Sequence, residues 1–387
     1  MEKYKLGEIS EFIRNGASIK QFDNADGYPI TRIETISNFK IDFEKMGYAN
    51  IYELGKYEDY LLKNGDILMS HINSDVHLGK SAVMEDDSKK IIHGMNLLCI
   101  RLKKEMANSK YMYYYFNHKL FRNKLSKIIK KSVNQASFSV TDLKKIDIEI
   151  PNIETQKKIV EILDKAQFLI DKKKEQIELL DELVKSRFIE MFGDPVSNSK
   201  DWKKQKINEV APVSNYKGEF DEEKIWLLNL DMVESNSGRI IDFNYVNKEE
   251  IGSSTCTFDT SNVLYSKLRP YLNKVVIPDR RGYATSEMTP LKPNKKVLNR
   301  EYLTYSLRNK SFVDYISEKV SGAKMPRVVM NDFKSFELPI PPIELQNEFA
   351  EFVTKIDEIK SKMKASLSEL EDNFNSLMQK AFKGELF

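Results

Sequence analysis

Basic side chains alternate with tyrosines in one short stretch of the second half of the chain. The sequence YSKLRPYLNK carries Lys267, Arg269 and Lys274, with Tyr265 and Tyr271 among them. Ammonium and guanidinium groups contact phosphates, and basic, hydroxyl and amide side chains hydrogen-bond to base edges. The stretch therefore has the chemistry of a nucleic-acid contact, and the alternative is a charged, solvated strand.

A second basic stretch lies in the first half of the chain. From Lys110 to Lys131 there are seven basic residues and no acidic one. Such a run also suits phosphate contacts. The alternative here is the solvated face of an ordinary helix.

The residues that could catalyse a reaction form no recognised motif. GKS at 79–81 resembles the end of a phosphate-binding loop, but Ser74 stands where that loop requires a glycine. His71, Asp75 and His77 could together bind a metal, but four histidines without a Cys/His spacing favour a plain polar loop. The sequence therefore predicts no catalytic residue and no metal site, although it does not exclude an enzyme.

The composition is typical of a globular protein without a membrane segment. A chain of 387 residues can form two or three domains, each with its own core. No apolar run approaches the ~18 residues that a membrane helix needs, and the start of the chain lacks the apolar region of a secretory signal. The two cysteines, Cys99 and Cys256, form no CxxC motif. We therefore expect a cytoplasmic protein with unpaired thiols and no membrane association.

One motif occurs twice. Residues 148–156 read IEIPNIETQ, and residues 338–346 read LPIPPIELQ. With a shift of 190 residues, 142–192 aligns with 332–382 without a gap, and 14 of 51 positions are identical. About three identities are expected by chance at average residue frequencies. Because solenoid repeats are far shorter, roughly 20–50 residues, the pattern indicates a duplicated module.

Both copies continue into a long apolar heptad pattern. Lys173 and Arg187 interrupt the first copy, and Lys360 interrupts the second. Apolar residues at alternating steps of four and three over about five heptads predict a coiled coil. The apolar positions are Ile159, Leu163, Ala166, Ile170, Ile177, Leu180, Val184 and Met191, then Phe349, Val353, Ile356, Met363, Leu367, Leu370, Phe374, Leu377 and Ala381.

The repeated motif predicts a junction between a strand and a helix. Alternating apolar residues in 146–150 and 336–340 predict two short strands. Pro151 and Pro341 then end each strand and suit the first turn of a helix. Asn152 can cap the first helix.

The two predicted helices most simply pair with each other. An antiparallel pair would place the preceding blocks at opposite ends and create a pseudo-twofold axis. A parallel pair, or two helices each packed on its own domain, are the alternatives. Seams of this length would expose apolar surface if they stayed unpaired.

The charge is unevenly distributed along the chain. Basic and acidic residues number 24 and 20 in 1–150, 8 and 10 in 151–195, 23 and 19 in 196–340, and 6 and 9 in 341–387. Two mildly basic blocks therefore alternate with two mildly acidic ones. In block one, YPITRIETI, GDILMS and NLLCIRL predict strands, and an aromatic helix is expected around YMYYYFNHKLFRNKLSKIIKK.

Over its whole length the chain resembles the specificity subunit of type I DNA restriction–modification systems. The most specific segments are IEIPNIETQKKIVEILDK with RFIEMFGDP, and LPIPPIELQNEF with LMQKAFKGELF. VLYSKLRPYLNKVVI and SGAKMPRV in block two also resemble segments of target recognition domains. Block one departs from that pattern, because GDILMSHINSDVHLGK lacks LRPY and SVNQASFSV replaces SGAKMPRV.

The resemblance implies an α+β fold. Two mixed α/β target recognition domains, 1–150 and 196–340, would be separated by an antiparallel two-helix coiled coil formed by 151–195 and 341–387. The fold would then be a pseudo-twofold internal repeat.

The resemblance also implies a non-catalytic subunit that binds double-stranded DNA. Each recognition domain would read one half of a bipartite site. Expected partners are two methyltransferase subunits, which bind S-adenosylmethionine, and restriction/translocase subunits, which use ATP and Mg²⁺. No cofactor is expected in this chain.

The resemblance and the repeat together assign candidate DNA contacts to loops in both blocks. In block two they are Lys267, Arg269, Tyr271, Lys274, Lys324 and Arg327. In block one, matched by position in the repeat, they are Ser70, His71, Asn73, Lys80, Asn134, Gln135 and Ser137. Two other functions stay open: a coiled-coil scaffold with two protein-binding domains, and a regulatory arm of a nuclease or methyltransferase.

Overall fold

The computed structural model of the chain describes residues 1–74, 77–131 and 135–387. The helices are α1 (Ser109–Asn117), α2 (Lys119–Ser126), α3 (Val140–Lys144), α4 (Ile153–Phe192), α5 (Ile207–Val210), α6 (Arg300–Arg308), α7 (Lys310–Ser317), α8 (Met330–Ser335) and α9 (Ile343–Lys383). The strands are β1 (Glu2–Lys5), β2 (Ser10–Asn15), β3 (Ile67–Ser70), β4 (Ile72–Asn73), β5 (Ser81–Val83), β6 (Leu97–Leu102), β7 (Lys130–Lys131), β8 (Ala136–Ser137), β9 (Asp147–Ile150), β10 (Lys204–Lys206), β11 (Lys224–Leu228), β12 (Tyr245–Asn247), β13 (Thr255–Phe258), β14 (Val263–Ser266), β15 (Val275–Val276), β16 (Gly282–Thr285), β17 (Met288–Leu291), β18 (Val320–Ser321), β19 (Arg327–Val328) and β20 (Glu337–Pro339).

The first compact unit, unit 1, comprises Met1–Lys172 and Ser366–Phe387. Its largest sheet is antiparallel and has the strand order β2-β6-β3-β5. β1 pairs with β9, and β4, β8 and β7 form a smaller sheet. Helices α1 to α3, the beginning of α4 and the end of α9 contribute to one hydrophobic cluster with this sheet.

The second compact unit, unit 2, comprises Lys173–Ala365. Its sheets have the orders β15-β14-β17 and β12-β11-β16-β13, and the β11–β16 pair is parallel. β10 pairs with β20, and β18 with β19. Helices α6 to α8 pack in one hydrophobic cluster with the end of α4 and the beginning of α9.

The two units share the same order of elements before each long helix. In unit 1, three short helices are followed by β9 and a long helix; in unit 2, α6 to α8 are followed by β20 and α9. The strands predicted at 146–150 and 336–340 are confirmed as β9 and β20. Asn152 caps α4 as predicted, because its Oδ1 accepts a hydrogen bond from the Thr155 N–H at 2.9 Å.

A buried glutamine joins the first long helix to its recognition block. Gln156 is fully buried in the first turns of α4. Its Oε1 accepts the N–H of Asn108, the residue that caps α1, at 2.8 Å. Its Nε2 donates to the carbonyls of Met106 at 2.9 Å and Pro151 at 2.8 Å. One amide therefore fixes α4, the end of β9 and the start of α1 together.

Gln346 makes the same three contacts in unit 2. Its Oε1 accepts the N–H of Asn299, the cap of α6, at 2.8 Å. Its Nε2 donates to Val297 O at 3.0 Å and Pro341 O at 2.8 Å. The identical third residue of ETQ and ELQ is thus explained by a duplicated, fully satisfied buried amide.

The long helices pair antiparallel, as predicted. In unit 2 the late part of α4 meets the early part of α9: Phe188 packs on Phe349 with ring centroids 5.5 Å apart, and Arg187 lies 3.6 Å from Glu348. In unit 1 the early part of α4 shares a cluster with Ala381 and nearby residues at the end of α9. The predicted α+β fold with an antiparallel helix pair is confirmed.

Two of the three polar residues that interrupt the heptads, Arg187 and Lys360, have partners across the helix pair. Lys360 of α9 forms an ion pair with Asp181 of α4, and its side chain is mostly buried. Arg187 of α4 lies near Glu348 of α9, and it also pairs with Glu190 on its own helix. A charged residue within an apolar seam favours one register, because any slip leaves it unpaired.

Two predictions about block one were wrong in detail. YPITRIETI is not a strand: Ile30 makes single bridges, and Ile33–Ile36 is a 3-10 turn. The Thr35 hydroxyl accepts the Arg32 N–H at 2.9 Å, and such a local bond favours a turn over a strand. The aromatic helix is two helices, because His118 has an extended backbone between α1 and α2.

The compact units cut across the four predicted segments, because each unit takes part of both long helices. The boundaries 1–150, 151–195, 196–340 and 341–387 stay a prediction. Among the residues that the structure describes, no helix is long and apolar enough to cross a membrane.

Replacing Gln346 with alanine should destabilise unit 2 strongly. The change leaves the Asn299 N–H and two carbonyls buried without partners, which we expect to cost about 3 kcal/mol of unfolding free energy. Urea unfolding followed by tryptophan fluorescence measures it, because Trp202 and Trp226 both lie in unit 2. Gln176→Ala, at an exposed glutamine of α4, is the control; equal midpoints for the two variants would contradict the joint.

Candidate nucleic-acid interface

Each unit carries a loop that leaves the sheet after a serine and returns at a lysine. We name residues 71–79 loop A and residues 267–273 loop B. The Ser70 N–H donates to Lys80 O at 2.9 Å, and the Ser266 N–H donates to Lys274 O at 3.0 Å. Residues 75 and 76 of loop A lie outside the described residues. The two loops are therefore equivalent in the fold although their sequences differ.

A second segment lies beside each loop: residues 326–328 lie beside loop B, and residues 136–138 lie beside loop A. In unit 2 the Arg269 N–H donates to Pro326 O at 2.7 Å, and the Val328 N–H donates to Lys267 O at 2.9 Å. In unit 1, β4 pairs with β8, and the Phe138 N–H donates to His71 O at 3.2 Å. The fold thus brings together candidate residues that are more than 50 residues apart in the sequence.

Three candidates in unit 2 have accessible side chains. Arg269 is exposed and has a left-handed backbone with φ +49°. Tyr271 is 53% exposed, and Lys324 is exposed between β18 and β19. A guanidinium, a phenol and an ammonium group on adjoining segments can contact phosphates and base edges.

The other three candidates in unit 2 have structural contacts. Lys274 donates to Leu230 O at 2.6 Å, and burial lowers the pKa of its ammonium group. Arg327 forms a two-point ion pair with Glu287, with N–O distances of 2.8 and 3.0 Å. Lys267 is half-buried, and its backbone bonds to Val328 and Glu287. DNA contacts by these residues stay a prediction.

The candidates of unit 1 are less accessible. Ser70 and His71 are buried. Burial lowers the pKa of His71, whose Nδ1 is among the buried side-chain atoms without a partner. Asn73 and Ser137 are half-buried in β4 and β8. The buried and half-buried side chains of these four residues hold loop A in place. Direct base contacts by them stay a prediction.

Lys80 repeats the contact of Lys274. Its Nζ donates to Ser37 O at 3.2 Å, next to the Ile33–Ile36 turn, while Lys274 reaches the Leu230–Met232 turn. Each lysine therefore fixes its loop to a neighbouring segment. Of the remaining candidates, Gln135 is exposed and Asn134 lies outside the described residues.

The basic stretch from Lys110 to Lys131 is partly neutralised within unit 1. Lys110 lies 2.8 Å from Glu85 and 3.0 Å from Asp164. Lys124 donates to Asp147 O at 2.8 Å. Arg122 is half-buried, and burial lowers the pKa of its guanidinium. These basic side chains therefore do not form one uniform phosphate-binding face.

No sequence motif marks the two segments that Lys80 and Lys274 reach, around Ser37 and Leu230. Phe39, which follows the Ile33–Ile36 turn, has a left-handed backbone with φ +60° and an exposed ring. No glycine or asparagine at that position signals such a backbone. Its placement beside Lys80 is a tertiary contact that the sequence does not reveal.

The described residues contain no cluster of three or more histidine, cysteine or acidic side chains with the geometry to bind a metal. His71 and His77 both lie in loop A, and Asp75, the third residue considered, lies outside the described residues.

Low pH should destabilise unit 1 through His93. This histidine is buried, and burial lowers its pKa to about 4. Its Nε2 bonds to Leu97 O at 2.9 Å, so Nδ1 would have to take the proton without a partner. As the pH falls, His93 takes up a proton in the unfolded state before it does so in the folded state. Its contribution to the unfolding free energy is therefore complete above pH 6.5 and is lost between pH 6.5 and 4. The loss is roughly 2 kcal/mol at pH 5.

The measurement is unfolding free energy against pH, followed by amide hydrogen exchange in unit 1. His93→Gln is the control, because it keeps a hydrogen-bond donor and removes the titration. A variant with the same pH slope as the original protein would contradict the assignment. All four histidines lie in unit 1, so unit 2 should not share this histidine-dependent slope.

Comparison with known proteins places this arrangement among DNA specificity proteins. A model of the family described as type I restriction modification DNA specificity domain matches residues 1–179 and 199–372. The chain is 32% identical over 404 residues to a putative type I restriction enzyme MjaX specificity subunit of Methanocaldococcus jannaschii, covering 97% of this chain and 92% of that protein. It is 27% identical over 190 residues to the type I restriction enzyme EcoDI specificity subunit of Escherichia coli, covering 48% of this chain and 42% of that protein.

Two solved structures share the fold. One comes from a study of complex assembly and conformational transition of the type I R-M system; it matches with a TM-score of 0.60 and 14% identity, covering 100% of this chain and 98% of that chain. The other is a type I restriction–modification S subunit from M. genitalium, with a TM-score of 0.55 and 13% identity, covering 98% of this chain and 96% of that chain.

Proposed function

Because this chain belongs to the family of type I restriction modification DNA specificity domains, we propose that units 1 and 2 each read one half of a bipartite DNA site. The chain is a specificity subunit, and its role is DNA sequence specificity. The observation that carries the proposal is the duplicated arrangement of loops A and B. Each loop is closed by a serine–lysine bond and lies beside a second segment.

The different chemistry of the two loops supports two different half-sites. Loop B presents Arg269 and Tyr271 beside the exposed Lys324. Loop A has no equivalent of the LRPY sequence, and its first residue, His71, and the preceding Ser70 are buried. Two domains with the same frame and different exposed side chains are suited to reading two different sequences.

The length of the long helices suits a spacer between two half-sites. α4 has 40 residues, which corresponds to about 60 Å at ~1.5 Å per residue. Half-sites that face one side of the duplex recur about every 34–36 Å. A helix of this length leaves room for base pairs that neither unit reads.

The reaction itself belongs to partner subunits in this proposal. The specificity family is generally non-catalytic. Methyltransferase subunits would bind S-adenosylmethionine, and restriction/translocase subunits would use ATP and Mg²⁺. This chain would place them on a chosen sequence.

A free face of α4 supports docking of the methyltransferase subunits. In unit 1 the helix exposes Phe168 and Leu169, and in unit 2 it exposes Leu179 and Leu183. These residues lie off the heptad seam, and exposed apolar patches commonly mark protein contacts. Residues 151–195 contain 8 basic and 10 acidic residues, so this segment favours a protein partner over DNA.

The proposed function is tested by co-expressing the chain with the methyltransferase subunit of its own system and mapping methylated bases across a genome. We expect a motif with two specific parts separated by a fixed gap. A soluble, assembled complex that adds no sequence-specific methylation would overturn the proposal.

Arg269→Ala should relax one half of that motif and leave the other unchanged. We expect about tenfold weaker binding to the specific duplex. The slope of log binding constant against log salt concentration should also become shallower by about one, as for the loss of one phosphate contact. Fluorescence anisotropy of the assembled complex at several salt concentrations measures both. Lys295→Ala removes one exposed positive charge elsewhere in unit 2; if it has the same effect, the role of Arg269 is general electrostatics and not base reading.

The double variant Leu179→Glu, Leu183→Glu should lose one of the two methyltransferase subunits. Charged side chains on this face oppose burial at an interface. We expect the copurified methyltransferase to fall from two subunits per chain to one, because Phe168 and Leu169 in unit 1 are unchanged, while the melting temperature stays the same. Gln176→Glu, at an exposed position of the same helix, is the control; equal copurification of the two variants would show that the partner docks elsewhere.

A further inference from the structure

Two residues have a backbone conformation that their side chains disfavour. Among the described residues, nine other than glycine have a positive φ, and seven of them are asparagine or aspartate. Those two types adopt the left-handed region readily. The exceptions are Arg269 in loop B and Phe39 in unit 1. Strained residues cluster at functional sites, because there the strain can be retained for a role other than stability.

Phe39 does not contribute to a hydrophobic core. Its side chain is 40% exposed, and it is absent from the cluster formed by Ile36, Met46, Leu68 and their neighbours. The next residue but one, Ile41, does pack against that cluster. The chain therefore turns Phe39 away from the core and takes up strain in doing so.

The segment that carries Phe39 is fixed to loop A. The Lys80 Nζ lies 5.1 Å from the centroid of the Phe39 ring and donates to Ser37 O at 3.2 Å. Lys80 is also the residue that closes loop A, through its bond to Ser70. One ammonium group therefore holds an exposed aromatic ring beside the loop that corresponds to loop B.

Contacts of neighbouring residues also fix the segment around Phe39. Lys40 lies 2.8 Å from Asp171 of α4, and the Asp42 N–H donates to Thr35 O at 2.8 Å. The Phe39 N–H donates to Ile36 O at 3.2 Å. A ring held in place before binding loses little conformational entropy when it meets a ligand.

We propose that Phe39 is a specificity-determining residue of unit 1, whose ring makes an apolar contact with a base of the half-site that unit 1 reads. This inference rests on the proposed function. The 5-methyl group of thymine is the apolar group that a base edge offers in the major groove, and phenylalanine is among the side chains that contact it. Unit 1, which lacks an exposed counterpart of Arg269 in its matched candidates, uses an apolar contact where unit 2 uses a charged one.

The test uses the complete complex of this chain with its methyltransferase subunits. The half-site of unit 1 is the part of the methylated motif that survives Arg269→Ala. Binding is measured by fluorescence anisotropy on a duplex with that half-site and on duplexes in which each of its thymines is replaced by deoxyuridine, which lacks the methyl group. The same duplexes are bound by Phe39→Asn, and asparagine tolerates the left-handed backbone.

For the original protein we expect one deoxyuridine to weaken binding about fourfold, which is the loss expected for one buried methyl group. Phe39→Asn should bind the thymine duplex about as weakly, and the deoxyuridine should then have no further effect. Its melting temperature should stay the same or rise, because asparagine relieves the strain. The other half-site should be read as before.

Phe43→Asn is the matched control. Phe43 is also an exposed ring beside a lysine, Lys89, at 5.7 Å, but its backbone is not left-handed, and the lysine beside it is not the one that closes loop A. We expect it to leave the motif and the affinity unchanged.

Several outcomes would overturn the inference. They are an unchanged motif and affinity in Phe39→Asn, a half-site of unit 1 without thymine, or a loss of affinity that matches Phe43→Asn. A lower melting temperature with equal weakening of both half-sites would make Phe39 a structural residue. If the original complex shows no sequence-specific binding at all, the proposed function fails, and that result is distinct from a failure of Phe39 alone.

Discussion

The structure depends on one buried amide that occurs twice. Gln156 and Gln346 each accept a hydrogen bond from the capping residue of a short helix and donate two to carbonyls of the adjoining chain. An amide with these contacts satisfied is stable in the core, while an unsatisfied one is costly. The junction therefore tolerates little change in the angle between a long helix and the block before it. A duplicated amide explains why the motif is repeated in the sequence.

The rigid junctions allow the loops to differ. Loops A and B start and end on the same serine–lysine bond, and each lysine reaches a neighbouring segment. Between these fixed points the two units carry different residues, and the exposed side chains differ in charge and polarity. Different recognition is thus compatible with one frame, because the contacts that hold the frame are mostly made by backbone and buried groups.

The electrostatics favour specific contacts over general attraction. Several of the basic residues are occupied within the chain, such as Lys110 with Asp164 and Arg327 with Glu287. The net charge of +3 is small for a DNA-binding protein of this size. Affinity would then depend on a few accessible groups, such as Arg269 and Lys324, and on the partner subunits. A scaffold without a DNA role would not need the strained, exposed Arg269 in a loop matched across both units.

The sequence by itself determined the repeat, the two long helices, their strand–proline junctions and the family. These features depend on local periodicity and capping, and on residue identities at a constant spacing of 190, which are all readable along the chain. It also indicated which segments carry the candidate site. It did not determine which candidates are accessible: Lys80 and Lys274 reach carbonyls in distant segments, His71 is buried, and Arg327 pairs with Glu287. Only the tertiary structure decided these roles and found Phe39, because the partner and the exposure of a side chain depend on segments that are far apart in sequence and meet on folding.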